Sequence, residues 1–145
     1  MNNWNSNRRE KFNPSGFLND LNFNAHYKEW ITDGANAEMV QTVESIGNEL
    51  EKQGLSSSQI RNVYGEIKRI QMGGFDKNKS SFYLLKPKVA YAYGRSIKAR
   101  GESGMELFKA VFDKLSTEVH DKNSFDNFAA FFEAVIAYHK AAGGK

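Results

Sequence analysis

The chain of 145 residues carries 20 lysines and arginines against 17 aspartates and glutamates, for a net charge of +3 and a pI near 9.0, and has no cysteine. A folded chain of this length hides roughly 68–70% of the surface it would expose unfolded, so an ordinary hydrophobic core suffices. The lack of cysteine excludes disulfides, thiolate metal sites and a cysteine nucleophile. No apolar run approaches the roughly eighteen residues of a membrane span, and Met1-Asn2-Asn3-Trp4-Asn5 does not resemble a signal peptide, so the expected location is cytoplasmic, with no membrane partner.

Residues 1–25 hold eight asparagines with Pro14, Gly16 and scattered aromatics, and show neither helical nor strand periodicity. Such a composition buries too little apolar surface to offset the entropy of ordering. The first 25 residues therefore read as a disordered tail, from which Trp4, Phe12, Phe17 and Phe23 could dock on a partner, and 26–145 as a single helical domain. Over 36–53, Met39, Val43, Ile46 and Leu50 recur at spacings of four, three and four, which predicts a helix stopped by Gly54. Ser56-Ser57-Ser58-Gln59 spells a capping box, and the helix it opens turns Ile60, Val63, Tyr64, Ile67 and Ile70 inward before ending near Gly73-Gly74. A shorter segment runs from Phe75 to Leu85. Pro87 suits a first helical position, where its missing N–H would be unpaired anyway, and predicts a new helix to about Arg100 with Val89, Tyr93 and Ile97 inward. Ser103-Gly104-Met105-Glu106 reads as a second capping box, ahead of a stripe of Leu107, Phe108, Val111, Phe112, Leu115 and Val119. Ser124 is the expected cap of the last helix. Its face is Phe125, Phe128, Phe132, Val135 and Ile136, with Phe131 and Tyr138 on a flank where a neighbouring subunit could pack. The fold expected is all-α: a compact bundle of about five main helices with a flexible N-terminal tail.

Chemistry-bearing groups are few. His26, His120 and His139 share no three- or four-residue spacing, Glu44, Glu51 and Glu133 are isolated on exposed faces, and HExxH, P-loop, GxGxxG and GxSxG patterns are absent. No metal, cofactor or catalytic residue is expected, and the histidines read as structural or solvated. The charge pattern is more informative. Residues 1–60 are net −3, 61–100 net +8 and 101–145 net −2, so the mild average conceals a strongly cationic middle. There, Arg61 and Lys68 share a helix face with Arg69 beside them, and Lys88, Tyr91, Arg95 and Lys98 run at spacings of three, four and three along a second edge. Cations interleaved with an aromatic suit a nucleic-acid backbone and an unstacked base. Ordinary surfaces mix both signs, whereas Asp and Glu are nearly missing here.

Four blocks in order over about 27–141 resemble a known family. They are Ser58-Gln59-Ile60-Arg61-Asn62 with Glu66-Ile67-Lys68-Arg69-Ile70, Tyr83-Leu84-Leu85-Lys86-Pro87-Lys88 with Ala90-Tyr91-Ala92, Phe131-Phe132, and Ala137-Tyr138-His139-Lys140. The chain is similar to the small helical subunit of the type III-A CRISPR effector, the Csm complex. The Asn-rich tail lies outside the resemblance, and Gly73 stands where relatives usually carry a bulkier residue. The resemblance implies a non-catalytic, all-helical, RNA-binding subunit of antiviral defence, present in several copies stacked along the backbone subunits that hold the guide RNA. Its implied partners are guide RNA and target RNA, the backbone subunits, the large subunit and other copies of itself. Carried over by motif, its RNA-facing positions are Arg61, Lys68, Arg69, Lys86, Lys88 and Arg95; helix spacing adds Tyr91 and Lys98. Two other readings use the same residues: a helical protein–protein adaptor whose basic face meets an acidic partner without RNA, and a small ribonuclease built on His139 or His120 with a lysine.

Overall fold

The apolar stripes of the sequence close on one another in a computed structural model that describes residues 11–145; Trp4 and the part of the expected tail before Lys11 lie outside the described residues. Among those residues the chain is all-helical, with seven helices rather than about five: α1 (Pro14–Asp20), α2 (Phe23–Asp33), α3 (Ala37–Lys52), α4 (Ser57–Gly73), α5 (Lys79–Ser96), α6 (Glu102–Ser116) and α7 (Lys122–Ala141). Met39, Val43, Ile46 and Leu50 of α3 are all buried, as are Ile60, Val63, Ile67 and Ile70 of α4. The α7 helix runs through the middle, packing on α3 most extensively and on α2 and α4 as well, while α5 lies between α4 and α6.

Phenylalanines hold this arrangement. Phe125 stacks on Phe75 of the α4–α5 turn at 5.1 Å between ring centroids. Phe128 meets Phe82 of α5 at 5.6 Å and Phe112 of α6 at 5.5 Å, and Phe132 meets Phe108 of α6 at 5.4 Å. Phe131 reaches the other way, to Trp30 at 6.3 Å and Phe23 at 6.4 Å on α2. Phe131 is thus fully buried and is not a flank for a neighbouring subunit, and Tyr138 is half-buried.

Several local expectations are corrected, each for an identifiable reason. The tail does not extend to residue 25: Asn13 accepts a hydrogen bond from the Gly16 amide at 3.2 Å and Pro14 opens α1, an N-cap and first-turn pair inside a composition that reads as loop. Phe23 and Trp30 then bury completely and anchor α2. Pro87 does not start a helix but lies inside α5, which runs continuously from Lys79 to Ser96. Proline leaves the Tyr83 carbonyl without its helical donor, but Phe82, Leu85 and Val89 are buried on one face across it and hold the two halves in line. The α5 helix ends at Ser96, whose hydroxyl donates to the Tyr93 carbonyl, so Ile97 is 49% exposed. Ser103 caps nothing. Gly101, at a φ of 92° that favours glycine, precedes α6, and its carbonyl accepts the Met105 amide. Asp121 rather than Ser124 is the cap of α7; the two close a capping box in which Ser124 is the third helical residue. The Ser56–Gln59 box is as expected. Gly73 ends α4 and leaves room for the Asn78 side chain, which donates to the Gly74 carbonyl at 2.8 Å.

The crossing of α3 and α7 depends on Gly47. A β-carbon there would lie 2.6 Å from Tyr138 Cβ and 2.9 Å from the His139 backbone nitrogen, so the helices approach to a distance that only glycine permits. Gly65 of α4 is the reverse case, because nothing lies within 4 Å of a β-carbon placed there. Alanine at helical glycine normally gains up to ~1 kcal/mol, while overfilling a packed site costs ~1–3 kcal/mol. Urea denaturation should therefore show opposite signs: Gly47→Ala destabilising despite its better helix propensity, and Gly65→Ala stabilising.

Candidate nucleic-acid interface

With their apolar stripes spent on the core, α4 and α5 turn the cationic segment outward, and α7 contributes along the far side of α4. Between α4 and α5 lies an open groove of about 420 Å³, lined by Gln59, Asn62 and Glu66 from one wall and Lys88, Tyr91 and Arg95 from the other. Tyr91 is 67% exposed, so its ring is presented to solvent rather than packed. Glu66 sits in this groove as the organising carboxylate. It accepts from Arg69 Nε at 3.0 Å and Nη2 at 3.2 Å and from Lys88 Nζ at 3.4 Å. The Arg69 hydrogen bond is the main cause of a Glu66 pKa below the usual carboxylate value; partial burial opposes it and the charges of Lys88 and Arg69 add to it.

Arg61 faces the other flank of α4, in a second groove with Tyr64, Ile136 and Lys140 against α7. Lys68 leans the same way: its ammonium lies 5.7 Å from the Tyr64 ring centroid and 3.4 Å from Glu133 Oε2, and the hydrogen bond to Glu133 leads the effects that raise its pKa. Glu133, read from sequence as isolated, is thereby the α7 counterpart of Glu66. Residues 61 and 69 are separated by two turns plus a fraction, so the cationic positions divide between the two sides of one helix instead of lining one face.

Lys86 and Lys98 leave this arrangement. Lys86 lies nearly opposite Lys88 on α5, beside Tyr83 and His120. Lys98 follows the end of α5 with a φ of 66°, and its backbone N–H donates to Glu102 Oε1 at 2.6 Å, so it does not continue the edge of Lys88, Tyr91 and Arg95. Sequence spacing placed Asn62 beside the cations of α4 but missed Gln59, Glu66, Tyr64 and Lys140 as members of these grooves; of these four, only Glu66 carried a signal, three residues before Arg69 and nearly alone in its sign. His139 is 1% exposed and its Nε2 meets the Leu55 carbonyl at 2.7 Å, so it ties α7 to the α3–α4 loop rather than facing a substrate. Among the described residues, no three His, Asp and Glu side chains gather as a metal site would need, and no helix is long and apolar enough to cross a membrane.

A protein-family model described as Csm2 Type III-A matches residues 33–145, which takes in both grooves and every helix from α3 onward. The chain belongs to this family. It is a small structural subunit of the type III-A CRISPR Csm complex. The match starts at residue 33, where α2 ends. Neither a curated protein nor a solved structure matches the chain.

A carboxylate whose folded pKa is depressed favours the fold above its unfolded pKa, and that contribution disappears as pH falls through the folded value. NMR titration should accordingly place the Glu66 side-chain midpoint below that of an ordinary glutamate, and Arg69→Gln should move it upward. A midpoint indifferent to Arg69→Gln would show that the bridge is not formed in solution.

Proposed function

We propose that the chain is a non-catalytic RNA-binding subunit of a cytoplasmic type III-A interference complex in antiviral defence, stacked in several copies along the backbone subunits and touching the sugar–phosphate backbone of guide and target RNA. The observation that carries this reading is the convergence of Lys88, Tyr91 and Arg95 on the α4–α5 groove, with two further polar side chains, Gln59 and Asn62, on its opposite wall. Lysine and arginine neutralise phosphates without reading sequence, and an exposed tyrosine accepts an unstacked base or a ribose face. Specificity then rests with pairing between guide and target, as in other RNA-guided systems. Glu66 fits the same picture. One carboxylate holds Lys88, which lines the groove, and Arg69 in place in the absence of RNA, and a phosphate arriving there competes for them.

A protein-contact face accompanies the groove. Tyr83 and Leu84 of α5 are exposed large apolar residues on the same outward side as Tyr91, where a solvated helix would carry polar ones. This favours contact with the backbone subunits, the large subunit or another copy alongside RNA. It is also the observation on which the adaptor reading rests. The two readings part on purification: an adaptor complex survives ribonuclease and holds no guide RNA, whereas the proposed subunit recovers repeat-derived RNA together with a backbone subunit.

Binding of single-stranded RNA should weaken with salt, at a slope of about −3 to −4 in log affinity against log salt if roughly five phosphates are neutralised. Lys88→Glu with Arg95→Glu should lower affinity by more than about tenfold and flatten that slope, while Glu66→Gln should strengthen binding by releasing Arg69 and Lys88. A flat salt response of the unaltered protein would overturn the RNA reading.

A further inference from the structure

No neighbour in the fold requires glycine at position 65. It is the midpoint of the 17-residue α4, where glycine costs ~1 kcal/mol relative to alanine, and no atom stands within 4 Å of where its β-carbon would be. Gly47 and Gly104, also helical, each have a neighbour that demands glycine, Tyr138 and His139 at the first and Leu55 at the second, whereas Gly94 of α5 is as open as Gly65. An interior helical glycine without a packing reason implies either an accident or a close approach from outside. The surroundings of Gly65 decide between these. At about 100° per residue, it points diametrically away from the buried stripe of Ile60, Val63, Ile67 and Ile70, and its surface neighbours, three and four positions away in each direction, are Arg61, Asn62, Lys68 and Arg69. Three cations and an amide encircle one bare turn of helix.

We infer that this turn is the seat on which a phosphate of the RNA backbone lies directly against α4, with Arg61 and Lys68 closing on it from one flank and Arg69 and Asn62 from the other. The inference rests on the RNA-binding reading above and deepens it by naming the ridge between the two grooves as the contact centre. It also explains why the cations divide around α4. The α4–α5 groove with Lys88 and the α4–α7 groove with Lys140 lie on opposite sides of the same ridge, so a backbone crossing α4 at Gly65 passes from one to the other. Lys140 becomes an RNA contact on this geometry. Charge complementarity commits the seat to a polyanion, since the residues three and four positions from Gly65 in each direction are three cations and an amide, unlike the Tyr83–Leu84 surface. Any side chain at position 65 would lift the backbone off the helix and lengthen every contact around it.

The test uses the full chain and a short fluorescent oligouridylate across a range of salt. Gly65→Ala and Gly65→Leu keep every charge, and each improves helix propensity, so loss of folding is not an explanation for weakened binding. Gly65→Leu should reduce RNA affinity about tenfold with an unaltered salt slope, and Gly65→Ala by a smaller factor, while the urea midpoint of Gly65→Ala rises. Lys140→Gln should weaken binding and reduce the slope by about 0.7, as loss of one phosphate contact does. If the unaltered chain binds and loses affinity with Lys88→Glu and Arg95→Glu but is indifferent to Gly65→Leu, the seat is refuted and the RNA-binding reading stands. If the unaltered chain does not bind RNA, both fall. Polyglutamate displacing the oligonucleotide at equal charge concentration would assign the face to an acidic protein and overturn the inference.

Discussion

The rings of Phe125, Phe128, Phe131 and Phe132 leave α7 in different directions and meet aromatic partners on α2, α5, α6 and the α4–α5 turn. Each pair contributes on the order of 0.5–1.5 kcal/mol beyond the area it buries, and its preferred edge or offset geometry fixes orientation as well as distance. Because one helix supplies all four rings, the positions of its neighbours are not independent. Gly47 sets how near α3 approaches, the phenylalanines set where α5 and α6 lie, and α4 is held between α5 and α7. The cationic surface is a consequence of this arrangement, since the faces of α4 and α5 that do not enter the aromatic core are the ones that carry lysine and arginine.

A surface with that much positive charge opposes itself, and the fold limits the cost in two ways. Glu66 holds Arg69 within α4 and bridges to Lys88 of α5, and Glu133 of α7 meets Lys68 of α4. These pairs are partly solvent-exposed, so each is worth little to stability. Their importance is positional: they hold flexible cations in defined places around the two grooves that flank α4. The exposed tyrosines and leucine of α5 add an apolar element that a purely solvated helix would lack.

Most of the helical content was legible from residue spacing because an apolar stripe at helical period has no other stable use. Where the reading failed, local chemistry was outvoted by distant contacts. Asn13, Pro14 and Gly16 look like loop until Leu18, Phe23 and Trp30 are seen to bury; Pro87 looks like a start until Phe82 and Val89 on either side of it share one core. Ser103 looked like a cap because serine usually is one, yet the backbone had already turned at Gly101. The candidate site divides in the same way. Lys88, Tyr91 and Arg95 form one edge because all three lie within a single helix, whereas Lys86, carried over with its motif, is separated by helix rotation, and Lys98, placed by helical spacing, by the end of α5.

Composition and periodicity by themselves determined the all-helical class and the cationic middle segment, because each is a property of residues within one or two turns of each other, and four blocks in chain order carried the resemblance to the type III-A small subunit. Only the tertiary structure decided that the cations flank α4 on two sides, that Glu66 and Glu133 hold them, and that Gly65 faces open space between them. Those are relations among helices far apart in the chain, and they exist only after the phenylalanines of α7 have fixed which face of each helix is left outside.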